Sequence, residues 1–584
     1  MISENSTNHR VCLLAAAVAM ACYTFGNAAW AQAATPPNAG TILQTLPPPA
    51  VQRGNDPPAP DASGMQTPRS SADAGPKVLV KGFVIRGNTS IATPVLLAVL
   101  KPFENRELTI GEIADAAAAV QERYRSADYF VAQAFVPSQD ISSGTVEIRV
   151  LEGAIGDAKG VLVPGARVSQ QRVDQYLTLL PKGTVITDKS VERPLLLLND
   201  LPGTKIHSVL RPGAELGSAD LQVDVGPDDR SAFGGSVFVD NFGSRSTGEI
   251  RIGVDLEGRG LLGFGELLTA TVFRAGSLTT VGRIGATLPV GPLGTKLSVG
   301  LTGLNYKLGG AFAPLGGKGD AAVATMLVQH PFIRSRNTNL LLLLGVDYKR
   351  VSDIQSTGSA ANDRQITLAR LGASGDYRDE LGGGALNSYS ISLFGGNNRF
   401  STDSNKAADA ARGDNTSGNF SKIQFEYQRL QSLASLLSNA DSLYLALRGQ
   451  VSLSKNLDST EKASLGGPHN VRAYSGSTFP SDDITIVTAE LRHRLTGDGF
   501  KPFGGNVVLT GFIDHGTAKL FHSPGVSHAA GNNHTLDAAG VGVSVVRKDN
   551  FEFRVDVATQ IGARLTDGDD NRRTRVWALL QKWF

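Results

Sequence analysis

From about Ser231 to the terminal Phe584 the chain repeats one pattern, short runs in which apolar and polar side chains alternate, each closed by turn residues. A strand turns successive side chains to opposite faces, so such a run suits lipid on one side and water on the other. In the run ending at Leu256, the side chains of Ile250, Ile252, Val254 and Leu256 alternate with Glu249, Arg251, Gly253 and Asp255. Ile423, Phe425 and Tyr427 alternate in the same way with Lys422, Gln424, Glu426 and Gln428. Leu443, Leu445 and Leu447 repeat it, as do Phe551, Phe553, Val555 and Val557 against Glu552, Arg554 and Asp556. Strands of a soluble sandwich also alternate, so other features must choose between sandwich and membrane barrel.

The amino terminus points to export. Arg10 precedes an apolar run from Val11 to Cys22, followed by the small-residue sites Ala29-Trp30-Ala31 and Ala31-Gln32-Ala33. Residues 1–33 read as a secretory signal peptide, because the run is too short to span a bilayer. Both cysteines, Cys12 and Cys22, lie inside it, so the mature chain is expected to carry neither disulfides nor thiol chemistry. No later run approaches the roughly 18 apolar residues of a membrane helix, and the densest, Leu340 to Leu344, has strand length. A closed sheet is the one non-helical structure that crosses a bilayer. The aromatic Phe584 favours such a barrel, while Lys582 occupies a position where an apolar residue is usual. The near balance of 56 Lys+Arg against 54 Asp+Glu leaves no electrostatic case for nucleic acid.

Residues 34–77 are proline-rich, with Pro36-Pro37, Pro47-Pro48-Pro49 and Pro57-Pro58, and read as an extended linker in which Ala39 to Leu46 has the makings of a short helix. The period then changes twice in the same order. Residues 78–152 give a strand at Val78 to Arg86, helices at Pro94 to Leu100 and Thr109 to Ser126, and strands at Phe130 to Val136 and Thr145 to Leu151. Residues 153–226 give a strand near Val161, helices near Val168 to Leu180 and Lys189 to Asn199, and strands at Lys205 to Leu210 and Ala219 to Val225. Pro194 predicts a late start or a kink in the last of these helices. Two small α/β modules of β-α-α-β-β order therefore precede the strand-rich region.

Over residues 230–584 the alternating runs number about sixteen, at roughly 22 residues per strand and loop, which suits a mainly β protein built on a 16-stranded transmembrane antiparallel β-barrel. The longest connections fall near Ser401 to Asn419, Lys455 to Ser481 and Thr517 to Thr535. Connections of that length are commonly functional.

The second of these connections carries Leu465-Gly466-Gly467-Pro468-His469-Asn470-Val471-Arg472-Ala473-Tyr474, and a later strand carries Gly511-Phe512-Ile513-Asp514-His515-Gly516. In order and position these segments resemble the outer-membrane transporters of two-partner secretion, the haemolysin and haemagglutinin secretion-activation family. Val239 to Gly248 resembles that family's first barrel hairpin. Phe135-Val136-Pro137-Ser138-Gln139-Asp140-Ile141, with Gly144 and Val150-Leu151-Glu152-Gly153, resembles the end of its first polypeptide-transport-associated (POTRA) module. Leu195 to Leu198 and Asn199-Asp200-Leu201-Pro202-Gly203 resemble its second.

The resemblance implies a transporter in the outer membrane, its POTRA modules in the periplasm, that secretes a large adhesin- or haemolysin-like partner in extended form. It implies that a long loop folds back into the barrel, with Arg472 at its tip and Asp514 on the wall, and with Val471, Tyr474, Phe512 and Gly516 completing the lock. Ala473 stands where the family has glycine, so a left-handed backbone there is disfavoured. Phe135, Pro137, Asn199, Pro202 and Gly203 would belong to the partner-recognising modules, and the helix at Ala39 to Leu46 would sit in the pore. In a wide hydrated lumen apolar burial alone does not hold a loop, whereas a charge pair at about 4 Å and an effective dielectric near 20 attracts by up to roughly 4 kcal/mol before desolvation.

No nucleophile elbow, phosphate loop or zinc-protease motif occurs, so neither enzyme chemistry nor a cofactor is expected. His522, His528 and His534 recur at six-residue spacing, which does not face them together on a helix, and they read as solvated loop residues rather than a metal site. Trp577, Trp583 and Tyr474 read as girdle or loop packing. A barrel-assembly insertase is the nearest alternative, set against by the small number of modules. A passive porin is another, and it would need neither the modules nor the arginine loop.

Overall fold

The computed structural model describes residues 36–44, 60–61 and 77–584, apart from 357, 360, 496–505, 526–527, 563 and 566–571. The leader with its cysteines, and most of the proline-rich linker including Thr45 and Leu46, lie outside the described residues.

The first module is a three-stranded sheet in which Gly82–Arg86 runs parallel to the central Thr145–Leu151, and Gln133–Phe135 lies antiparallel at the other edge. The strand expected over Val78 to Arg86 is broken at Lys81, because the amides of Lys81 and Gly82 both turn to the carbonyl of Gly144. Its first part, Val78–Val80, pairs instead with a short strand at Arg106–Leu108. Helices Thr93–Leu100 and Ile110–Arg125 cover the sheet. The second starts where it does because Thr109 and Glu112 form a reciprocal capping box, at 3.2 and 2.7 Å. Ile113, Ala117, Val120 and Tyr124, spaced by a helical period, are its buried face.

In the second module Ala154–Leu162 and Thr204–Pro212 flank a central Ser218–Pro227, under helices Gln170–Leu177 and Asp188–Asn199. The predicted late start at Pro194 does not occur. Thr187 and Ser190 cap the helix upstream, at 3.0 and 2.9 Å, and Pro194 lies buried inside it.

Sixteen antiparallel strands then close a barrel, from Phe233–Asp240 to Thr574–Trp583. Closure joins the last strand to the first through Leu579↔Asp240 to Trp583↔Ser236. Phe584 extends that seam by exchanging backbone hydrogen bonds with Gly235, at 3.0 and 3.1 Å, and Lys582 reaches Asn550 in a neighbouring turn at 2.8 Å. Ile252 is 64% exposed and Arg251, its neighbour, 8%, which is the lipid-out, lumen-in alternation read from the sequence. Since the modules feed the first strand from one end and connections alternate ends, the long connections 401–417, 453–482 and 520–532 all open at the opposite end.

The module end of the barrel carries the second module. Asp200 takes a bidentate pair from Arg334 at 2.7 and 2.8 Å, and its carbonyl accepts from Lys296 at 3.1 Å. Arg193 donates to the carbonyls of Pro331 and Phe332, at 2.8 and 3.0 Å.

The lumen differs from a wholly polar channel. Phe273, Leu304, Tyr306, Ile366 and Phe394 point inward and are buried together with Leu457 of the long loop and with Ala39 and Ile42 of a helix at Ala39–Gln44. Inward apolar side chains therefore share with ion pairs the work of holding what fills the pore.

Candidate functional site

The long loop leaves the eleventh strand, Asp441–Ser452, and descends into the barrel before returning to the twelfth, Asp483–Leu495. Its descending limb is fixed by charge. Glu461 takes Lys349 at 2.6 Å and Lys422 at 3.0 Å, Lys462 pairs with Asp482 at 2.7 Å, and all these side chains are largely buried. Asp458 meets Arg364 of the eighth strand, Asn362–Asp379, at 2.7 Å.

Arg364 also reaches Asp353, at 2.9 Å, and Asp353 accepts the amide of Ala39 at 2.9 Å and the hydroxyl of Tyr306 at 2.8 Å. One carboxylate thus joins the barrel wall, the loop anchor and the first amide of the pore helix. That helix is capped by Asn38, whose side chain accepts from the Thr41 amide at 3.0 Å. At Gly40 a Cβ would collide with the backbone of Ser459 and Thr460, so helix and loop touch where only hydrogen fits.

The tip is bound by a second cluster. Arg472 donates from Nε and Nη2 to the two oxygens of Asp514, both at 2.8 Å, and from its backbone amide to Oδ2 at 3.2 Å. Nη1 takes Glu490 at 2.8 Å, and Thr488 donates to Asp514 at 3.0 Å. The guanidinium lies over the Phe512 ring, 3.4 Å from its centroid. Arg472 and Asp514 are 3% and 0% exposed, so the pair is screened by neither water nor salt. The planar fork of arginine matches two carboxylates and an aromatic face at once, which an ammonium does not.

Apolar packing completes the lock. Val471, Leu465 and Tyr474 bury against Ile484, Ile486, Phe512 and Ala538. Gly516 lets the loop pack closely here, since a Cβ would stand 2.8 Å from the side chains of both Leu465 and Val471 and force them to shift. The Tyr474 hydroxyl donates to the carbonyl of Asp537 at 3.3 Å. Ala473 is fully buried and has no left-handed backbone, so its methyl group is accommodated where glycine was expected.

All six lock residues named from sequence, Val471, Arg472, Tyr474, Phe512, Asp514 and Gly516, therefore meet in one place. Glu490 was missed, although it lies in register with Ile484, Ile486 and Thr488 on the lumen face of its strand. Trp577 is packed against the loop rather than set in a girdle, and its indole N–H donates to the carbonyl of Arg472 at 2.7 Å. The three histidines are not gathered, but neither are they the solvated loop residues expected, since all three are half-buried and His534 lies on the strand Asn533–Arg547. His522 contacts Asp483 at 3.0 Å, His528 lies against Phe521, and His534 stacks on Phe479.

The residues named in the modules fall in two places. Phe135 is the exposed end of an otherwise half-buried edge strand of the first sheet, with Pro137 just beyond it, its carbonyl accepting from Gln139 at 3.3 Å. Asn199, Pro202 and Gly203 form the turn beside the barrel joint, where Asn199 accepts the amide of Ile206 at 3.1 Å.

A family model for haemolysin secretion/activation proteins of the ShlB, FhaC and HecB type matches residues 217–545, over half the chain. The chain belongs to that family. A model of the ShlB-type POTRA domain matches residues 78–153. Among curated relatives, the haem/haemopexin transporter protein HuxB of Haemophilus influenzae strain 86-028NP is 25% identical over 503 residues, covering 85% of this chain and 86% of the relative. The outer membrane transporter CdiB of Escherichia coli O6:K15:H31 is 26% identical over 187 residues, 31% and 30% of the two chains. The solved structure of CdiB from Escherichia coli superposes with a TM-score of 0.66 at 20% identity, over 90% of this chain and 94% of that one, a likeness of fold. This family member is a two-partner secretion transporter of the outer membrane. Its POTRA modules lie in the periplasm, and it secretes a partner protein through the barrel.

Proposed function

We propose that the resting transporter is closed by two pore-filling elements, the helix at Ala39–Gln44 and the loop tip at Arg472, and that an extended partner displaces them in transit. The observation that carries this is the double clamp on Arg472 by Asp514 and Glu490 inside a closed barrel. Two ion pairs and an aromatic face hold the tip firmly. Their number is small, so entry of a polypeptide that supplies its own hydrogen bonds and charges can displace it.

Residues 78–152 and 153–226 act as successive receptors for the partner, and residues 34–77 as the tether of the pore helix. Strand addition to a sheet edge captures an unfolded chain with little demand on its sequence. Two edges are suited to it. Gln133–Phe135 is one, with Phe135 exposed at its end and with the Gln121 side chain, which accepts the Ala134 amide at 3.2 Å, holding the place an incoming strand would take. Thr204–Pro212 is the other, and it already takes a residue of the chain's own linker, with the Asp61 amide donating to the Ser208 carbonyl at 2.9 Å and the Leu210 amide to the Asp61 carbonyl at 2.9 Å. The partner is a large adhesin- or haemolysin-like protein that reaches the periplasm unfolded and folds outside, which supplies the driving force without a nucleotide.

A photo-crosslinking side chain at His207, an exposed position on the second edge, tests this in the full-length transporter in cells. Crosslinks to the partner during secretion are expected at His207 and at Phe135. Secretion at the normal rate with crosslinks at neither position would exclude edge capture.

A further inference from the structure

Trp577 lies on the last barrel strand, is 1% exposed, and gives its only side-chain donor to the backbone carbonyl of Arg472, at 2.7 Å. A neutral indole does not strengthen the ion-pair lock, so this bond does something that Asp514 and Glu490 do not. Its neighbours indicate what that is. The last strand pairs along its whole length, Thr574 onward, with the fifteenth strand, but with the first strand only from Leu579 to Trp583. The outer half, Thr574 to Trp577, thus has a backbone ladder on one side alone.

On the other side one last backbone bond, from the Asn241 amide to the Ala578 carbonyl at 3.3 Å, is followed by side chains in place of the ladder. Asn241, just beyond the first strand, donates to the Val576 carbonyl and accepts the Ala578 amide, both at 2.8 Å. Phe242 stands edge-on to the Trp577 ring at 5.9 Å and to His469 of the loop at 5.5 Å. Glu249, in the same first hairpin, takes Arg572 at 2.5 Å. The loop tip therefore lies against both the first hairpin and the last strand, where the ladder of the seam runs out. Strand edges left unpaired at membrane depth are costly, so a contact that substitutes for rungs bears on whether the seam stays shut.

We propose that Trp577 is a positioning residue that makes the loop tip the outer clasp of the barrel seam. With the tip seated, Trp577, Phe242 and His469 hold the last strand against the first hairpin. When the tip leaves, the indole loses its acceptor and Phe242 its contact with His469, and the outer half of the seam loosens beside the exit. The inference rests on the reading that the tip is displaced in transport, but the coupling itself exists at rest and is measured there.

Hydrogen exchange on the full-length protein in detergent micelles tests it. Trp577→Phe keeps a smaller aromatic ring and removes the donor, leaving a buried carbonyl unpaired, and should speed exchange about tenfold both in residues 574–578 and in residues 465–474. Asp514→Asn loosens the tip from the opposite side and leaves Trp577 intact, so it keeps the test decisive if the first variant does not fold. Coupling is reciprocal, and Asp514→Asn must therefore also speed residues 574–578, with residues 145–151 of the first module unchanged in both variants. If Asp514→Asn speeds the tip while residues 574–578 keep their original rate, the clasp does not exist. If the seam responds and secretion of the partner stays at its original rate in both variants, the clasp stands and the gating role of the tip fails.

Discussion

Arg364 of the eighth barrel strand and Asp458 of the inward loop form an ion pair at 2.7 Å with both side chains buried. Because Arg364 also pairs with Asp353, which holds the first amide of the pore helix, removing the guanidinium leaves two buried carboxylates uncompensated, one on the loop and one under the helix. Stripping one partner from a buried pair costs about 3–5 kcal/mol. Arg364→Ala is therefore expected to release loop and helix together and to raise the open fraction of single channels in planar bilayers. Arg364→Lys, which keeps the charge but not the fork, should fall between.

For the tip, Arg472→Ala and Asp514→Ala should each lower the midpoint of denaturant unfolding in micelles. The double variant should cost less than the sum of the two, because the second deletion removes a group that has already lost its bidentate partner. The non-additive part is expected at about 2–3 kcal/mol. Effects that add would show that the two residues act separately. Glu490→Gln should weaken the clamp less than Asp514→Asn, since Glu490 keeps a second partner in Arg492 at 2.6 Å and takes one guanidinium nitrogen rather than two.

The barrel was legible because lipid and lumen impose a period of two, and the lock was legible because both halves of it sit in recognisable segments around Arg472 and Asp514. Glu490 and Trp577 were not, for a physical reason. Each lies on a strand whose alternation shows which face it takes, but not which part of a loop more than a dozen residues away lies against that face. Tyr306, Ile366 and Phe394 were hidden differently. They are apolar side chains on the lumen face, where the alternation predicts polar ones, and what covers them comes from the pore helix and Leu457, distant in sequence. The split of the first strand at Lys81 depends on the Gly144 carbonyl, which local propensity does not register.

At the joint, Arg334 grips Asp200 with two hydrogen bonds in a partly buried site, a geometry worth more than a surface pair. Arg334→Ala should widen the spread of distances between spin labels on the second module and on the barrel rim, and lower secretion. The swap Asp200→Arg with Arg334→Asp restores the charge pair with reversed geometry and should recover part of both. If the spread is unchanged in Arg334→Ala, the module is held by its other contacts, chiefly Arg193 on the carbonyls of Pro331 and Phe332.

Acid should loosen the first module through Glu152. Burial raises the proton affinity of this carboxyl, but donors from Thr89 and Ser90, both amide and hydroxyl, and from the Tyr124 hydroxyl outweigh it and hold the pKa below its ordinary value of 4.5. The unfolded module thus binds this proton more readily than the folded one, and stability rises with pH across the interval between the two pKa values. The contribution is complete above 4.5 and is lost as pH falls through the lower, folded value. Protease resistance of residues 78–152 in the full-length protein, followed from about pH 6 to about pH 3, should therefore decline at the acid end. Glu152→Gln should lower resistance at neutral pH, because a neutral amide accepts five donors poorly, and should flatten the acid-side decline. A variant as steeply acid-sensitive as the original would place the responsible carboxylate elsewhere in the module.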